Sequence, residues 1–242
     1  MPEDSAVRQP SSLDKRHRFP GEIISHAVWR YSRFLLSYRD VEELLAERGI
    51  AVRDETVRRW CRTFGQPFAD GGRRRRPHPG DTWQCDEVQL KSNGRKRWRW
   101  RAGAQDGIVL DLLVQERRNQ EAAERFLRRV VDGQGYRPRV VITDTLASYP
   151  PAVRCVLPGV EHRRHKGLNN RAEHSHRPTR RRERALQRFK SPAHAQQFLA
   201  PFGSISDHFR PRRHLLAAAD YRSVLQTRFA TWRAVTGLQA AA

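Results

Sequence analysis

The sequence predicts an α/β fold: a mixed five-stranded sheet flanked by helices, with a helical domain before it and further helices after it. Three observations predict it. Hydrophobic residues recur at helical spacing through the first third of the chain. From Asp81 the pattern changes to the period of two that marks strands. A helix then leads to PRVVITD, a short and nearly wholly apolar strand of the kind a buried central sheet position requires. At 242 residues the chain has room for one full α/β domain and a smaller unit.

The first helix is predicted to start after Pro20-Gly21 and to carry Ile23, Ile24, Ala27, Val28 and Tyr31 on one face. Ser37 is placed to cap a second helix, with Val41, Leu44 and Leu45 facing inward and Gly49 ending it. Asp54 is placed to cap a third helix, where Val57, Trp60, Cys61 and Phe64 form a core-facing stripe and Arg58, Arg59 and Arg62 the opposite face. Two short helices, a glycine turn and a basic exposed face fit a helix-turn-helix, and also any helical hairpin with a solvated cationic face. The stretch GQPFADGGRRRRPHPG reads as a linker, and its Arg73, Arg74 and Arg75 suit phosphate contacts.

The sheet is predicted from DTWQCDEVQLK, the Asn93-Gly94 turn signal and a returning strand from Arg95 to Arg101. Alternation there puts Trp98 and Trp100 on one face, toward the sheet core, and the arginines on the other. IVLDLLVQ forms the third strand, and Asn119 caps a helix with Ala122, Ala123, Phe126, Leu127 and Val130 inward. PRVVITD is the fourth strand, VEHRRH leads back, and a helix entered near Leu168 carries Glu173. This is the ribonuclease-H-like element order. It places Asp86 midway along the first strand, Asp144 at the end of a neighbouring strand, and Glu173 on a helix crossing that edge.

Three carboxylates gathered in this way repel one another unless a cation lies between them. Hard oxygen ligands select Mg²⁺ or Mn²⁺, and a pair of such ions suits phosphoryl transfer. Glu87 is expected to point to the face opposite Asp86. Asp106 and Asp111 have structural explanations, one beside a turn glycine and one within an apolar strand.

Charge identifies the partner class. The 47 lysines and arginines exceed the 26 acids to give a net charge of +21, which implies a polyanion, nucleic acid before membrane. No apolar run approaches the roughly 18 residues of a membrane span, so no membrane association is expected. The N-terminus reads as a disordered lead-in and not a secretory signal. Cys61, Cys85 and Cys155 have no CxxC spacing, which argues for a reducing compartment and for small buried thiols. Between His162 and Arg182, Glu173 is the sole acid among eight lysines and arginines and four histidines. Without a cysteine, those histidines (His162, His165, His174, His176) suit DNA contacts better than zinc.

Three blocks, DTWQCDEV, VVITDTLASY and EHRRHKGLNNRAEHSHRPTRRRERALQRFKSP, resemble the D-D-E transposases of bacterial insertion sequences, above all the insertion-sequence-six family. The resemblance runs from about Phe19 to about Gly237 and extends more distantly to retroviral integrase cores. It implies a triad of Asp86, Asp144 and Glu173, the same residues that the strand argument brings together. It also implies that Arg180, two helical turns beyond the glutamate, holds the DNA backbone. The family reaction implied is magnesium- or manganese-dependent: the enzyme cuts at element ends and joins the 3′-hydroxyls to target DNA in replicative, cointegrate-type transposition. It would work as a homo-oligomer on paired ends. Lys166 and Arg177 join Arg180 as expected DNA contacts. The expected divisions are a lead-in at 1–18, a helix-turn-helix at 19–66, a basic linker at 67–80, a catalytic domain at 81–190 and C-terminal helices at 191–242 that complete the core or pair protomers. A cytoplasmic, nucleoid-associated protein is expected. Four positions depart from the family pattern: Thr145, where a lysine is usual, Gly103 and Ala104, and His174. They leave two further readings, a catalytically weak copy that represses by occupying element ends and a nuclease that cuts without joining.

Overall fold

The computed structural model describes residues 17–75, 80–105, 108–165, 189–211 and 213–237. The elements in chain order are α1 (Gly21–Arg33), α2 (Tyr38–Ala46), α3 (Asp54–Arg74), β1 (Thr82–Ser92), β2 (Arg95–Ala104), β3 (Val109–Gln115), α4 (Gln120–Gln134), β4 (Val140–Thr143), α5 (Tyr149–Val156), β5 (Glu161–Arg164), α6 (Pro192–His208), a 3₁₀ turn (Arg213–Leu215) and α7 (Ala218–Val235). They fall into two compact units, Met1–Arg75 with Phe209–Ala242, and Arg76–His208.

In the first unit α1 and α2 pack against α3. Ser37 and Asp40 form a reciprocal capping box at the start of α2. Ser37 Oγ accepts from the Asp40 amide at 3.0 Å, and Asp40 Oδ2 accepts from the Ser37 amide at 2.7 Å. Gly49, at φ 73°, closes the turn after α2. That is the left-handed region that glycine tolerates. The start of α3 differs from expectation. Arg53 is the N-cap residue, and the Asp54 amide donates instead to Glu42 Oε2 of α2 at 2.8 Å. A neighbouring helix thus satisfies an amide that the local sequence alone leaves unpartnered. Leu44 also differs: it is 37% exposed, while Val41 and Leu45 reach the core.

α3 continues to Arg74, through residues whose Gly, Pro and Arg content suggests a linker. The reason is packing. Phe64 and Phe68 stack at 5.7 Å, and Trp232 of α7 meets Phe68 edge-on at 5.4 Å. Burial of Phe68, Ala69 and Gly71 outweighs a poor local propensity. The C-terminal helices therefore divide, α7 packing on α3 and α6 on β3.

The second unit holds a sheet in the order β3-β2-β1-β4-β5. β1–β2 and β2–β3 are antiparallel, and β1–β4 and β4–β5 are parallel. This is the ribonuclease-H-like order. The β1–β2 turn uses Asn93 at φ 49° and Gly94 at φ 74°. Two positive values in succession are what a tight hairpin matching the strand twist needs. Asn119 Oδ1 caps α4 by accepting from the Ala122 amide at 3.1 Å.

α4 and α5 cover one face of the sheet. There Trp83, Cys85, Trp100, Phe126, Leu127 and Tyr149 are fully buried. Leu90, Leu112, Phe189, Ala195 and Leu199 form a second cluster that includes α6. Gln196 of α6 also covers the β3 edge: its Oε1 accepts from the Val114 amide at 2.8 Å and its Nε2 donates to the Leu112 carbonyl at 2.9 Å. Side-chain pairing of this kind blunts an edge that could otherwise template another strand. Gly103 lies at a register shift between β2 and β3, a bulge where glycine fits without weakening a regular ladder. Among the cysteines, Cys85 is buried, but Cys155 is exposed and within 3.3 Å of Arg128 Nη2. The lead-in expected at 1–18 falls almost wholly outside the described residues.

Candidate active site

The β1–β4 pairing sets the backbones of two of the expected carboxylate residues side by side. Cys85 and Thr143 are the last pair in the parallel register, so Asp86 and Asp144 occupy the next position on each neighbouring chain. Cys85 belongs to the core beneath α4 and α5. Alternation therefore turns Asp86 to the opposite face and Glu87 back toward those helices. Asp86 is buried.

Asp144 lies just past β4 and is held from two sides. Its Oδ1 accepts from the Leu146 amide at 2.9 Å, the local turn that aspartate favours. Its Oδ2 lies 3.8 Å from Arg118 Nη2. Behind it the Thr143 hydroxyl donates to the Asp144 carbonyl at 2.9 Å. With its one proton used there, that hydroxyl accepts from His162 Nε2, also at 2.9 Å. Burial, with Arg164 and Arg154 nearby, lowers the His162 pKa, which favours the neutral ring. Thr145 supplies its backbone carbonyl to Arg164 Nη2 at 3.0 Å.

Two residues beside Asp144 stand outside the set that the sequence singles out. Glu87, expected to face away from Asp86, is one, and Arg118 is the other. The Glu87 side chain is 0% exposed, and its Oε1 accepts from both Nε and Nη2 of Arg118, at 2.8 and 2.5 Å. Burial pushes the Glu87 carboxyl up to about 7; Arg118 opposes the rise and the Asp144 charge adds to it. The buried Tyr149 hydroxyl beside it is raised well above its ordinary value, first by burial and then by Glu87. The Arg118 guanidinium lies over the Trp98 ring at 4.7 Å. The signal for Arg118 in the sequence is slight, a cation directly before the Asn119 cap in a chain rich in arginine.

Asp111, a rival carboxylate, is an ion-pair partner, accepting from Arg129 Nε at 2.8 Å. Glu173, Lys166, Arg177 and Arg180 lie outside the described residues, as do His174, His176 and Asp106. Among the described residues, no group of three or more His, Cys, Asp and Glu is arranged to hold a metal ion. In the first unit Arg58, Arg59 and Arg62 are exposed on α3, with Arg58 3.4 Å from Glu55. Arg73 pairs with Asp70, while Arg74 and Arg75 are exposed. No helix among the described residues is long and apolar enough to cross a membrane.

Strand order defines the class: a ribonuclease-H-like domain. A family model described as a DDE domain matches residues 80–212. The transposase for insertion sequence-like element IS431mec of Staphylococcus aureus (strain Mu50) is 32% identical over 165 residues, covering 66% of this chain and 73% of that protein. The Staphylococcus aureus transposase for IS257 in transposon Tn4003 is 31% identical over the same shares. The catalytic domain of Mos1 mariner transposase is 16% identical with a TM-score of 0.41, covering 73% of this chain and 95% of that one. The HTLV-2 integrase catalytic core in complex with magnesium is 17% identical with a TM-score of 0.34, covering 45% and 84%.

The chain belongs to the D-D-E transposases of the insertion-sequence-six family. It is an enzyme, a DNA transposase of the polynucleotidyl transferase kind.

Proposed function

We propose that Asp86 and Asp144, with Glu173, form the site at which this transposase cuts element ends and joins the freed 3′-hydroxyls to target DNA, by the replicative, cointegrate-forming route. The observation that supports the reading is the register: two carboxylates each one residue beyond Cys85–Thr143, the last parallel pair of β1 and β4, in a chain of net charge +21. Carboxylate oxygens are hard donors and fit Mg²⁺ or Mn²⁺. A pair of such ions, when bound, activates the attacking oxygen and stabilises the leaving one.

The chain's own residues set the geometry. The sheet fixes the Asp86 backbone, and the Leu146 amide and Arg118 orient Asp144. Arg58, Arg59 and Arg62 on α3 grip the DNA of the element end, and Arg74, Arg75, Lys166, Arg177 and Arg180 hold phosphates. Arg73 contributes less because Asp70 engages it. Paired ends call for at least two copies of the chain, working on chromosomal DNA in the cytoplasm.

The test is strand transfer with labelled end DNA and Mg²⁺. Asp86→Asn, Asp144→Asn and Glu173→Gln should each abolish joined product while leaving end binding intact. Joining that persists in any of them overturns that residue's assignment. Cleavage without joining by the unmodified protein favours a nuclease, and binding without either step favours a repressor.

A further inference from the structure

The Glu87–Arg118 pair has no part in the triad, yet it is built more firmly than a surface ion pair. Nε and Nη2 both donate to one oxygen of a carboxylate that is 0% exposed. The guanidinium face lies on Trp98 at 4.7 Å. Nη2 is then left 3.8 Å from Asp144 Oδ2. That is too far for a hydrogen bond and within ionic contact. The Arg118 side chain is 37% exposed, so its stem spans from solvent to a buried partner.

From this geometry we propose that Arg118 is a positioning residue for Asp144, holding the carboxylate for a divalent cation by way of Glu87 and Trp98. Asp144 lies just past the four-residue β4, beyond the last ladder pair. The Leu146 amide holds one oxygen and Arg118 draws the other. Each oxygen keeps a second acceptor direction for a cation. Above the Glu87 value of about 7, the ionised carboxylate offsets the Arg118 charge, so the pair orients Asp144 without adding net positive charge that would repel an incoming ion. Residues that orient a metal ligand are commonly worth about 10–100-fold in metal affinity.

The inference rests on the metal-site reading, and its test separates the two. Mn²⁺ binding to the full-length protein is measured by titration calorimetry in the unmodified protein, Asp144→Asn, and the double variant Glu87→Gln/Arg118→Gln. The titrations are run at about pH 8.5, above the Glu87 value of about 7, where the double variant removes one charge of each sign and leaves the net charge of the site unchanged. That variant should weaken Mn²⁺ binding about tenfold or more. Should it not fold, Arg118→Lys keeps the charge and leaves Glu87 paired but lacks the planar two-donor edge, and should weaken binding several-fold. Binding that Asp144→Asn abolishes but the double variant or Arg118→Lys leaves unchanged overturns the positioning role alone. Binding that Asp144→Asn does not weaken overturns the metal-site reading, and the positioning role with it.

Discussion

Two adjacent glycines near the end of α3 offer a direct test of how the first unit is built. A Cβ placed on Gly71 would stand 2.8 Å from Val235 Cγ1 of α7, closer than real methyl contacts come. A Cβ on Gly72 meets nothing within 4 Å. Alanine is favoured over glycine in a helix interior by about 1 kcal/mol. At Gly72 that gain has no opponent, so Gly72→Ala should stabilise the protein by up to about 1 kcal/mol. At Gly71 the same gain meets an overpacking cost of about 1–3 kcal/mol. Val235 is buried and β-branched, so it cannot rotate away freely. The net for Gly71→Ala is a loss of up to about 2 kcal/mol. The two alanine variants should then differ by about 1–3 kcal/mol, the overpacking cost itself. Urea unfolding measures both. Gly71→Ala in a Val235→Ala background should recover most of that cost, giving a coupling energy of about 1 kcal/mol or more. If Gly71→Ala proves as stable as Gly72→Ala, α3 and α7 do not pack as described, and the joining of the N- and C-terminal segments fails with them.

The same unit should be acid-sensitive through His26. Burial, then Arg30 and Arg48, lower its pKa from the ordinary 6.5 to about 4. The unfolded chain therefore binds more protons than the folded one between those values, and stability falls as pH drops from about 6.5 to about 4. Because the ring is only half buried, solvent screening holds the loss to about 1–2 kcal/mol. Stability at pH 7 keeps the whole of it. His26→Gln should flatten the pH profile of unfolding in that window; an unchanged profile refutes the assignment. DNA binding should weaken steeply with salt. The triple variant Arg58→Ala/Arg59→Ala/Arg62→Ala should reduce the slope of log K against log salt by about 0.9 for each phosphate no longer neutralised. An unaltered slope places these arginines away from the DNA.

Much of the fold was legible because it is local. The Asn119 cap, the Asn93-Gly94 turn, the Ser37 cap and the inward faces of α1 and α4 follow from propensity and periodicity over a few residues. The pairing of β1 with β4 also follows, since burial of a strand strongly specifies its register. Other features were not legible, because their causes lie elsewhere in the chain. Asp54 reads as a cap until Glu42 takes its amide. Residues 67–74 read as a linker until Trp232 packs against Phe68. Leu44 fits a helical stripe yet stays exposed.

The site divides along the same line. Sequence alone determined that this chain is a polycation with carboxylates on a strand, at a strand end and in a basic segment, because charge and alternation are properties of the local text. Only the tertiary structure decided what surrounds them. Arg118 meets Glu87 across 31 positions in the chain, and α4 and β4 separate it in sequence from Asp144. Nothing short-range specifies either encounter. Glu87 is buried with a partner, on the sheet face that α4 and α5 cover. A buried carboxylate needs a cation, and the folded chain, not the sequence around Glu87, supplies it.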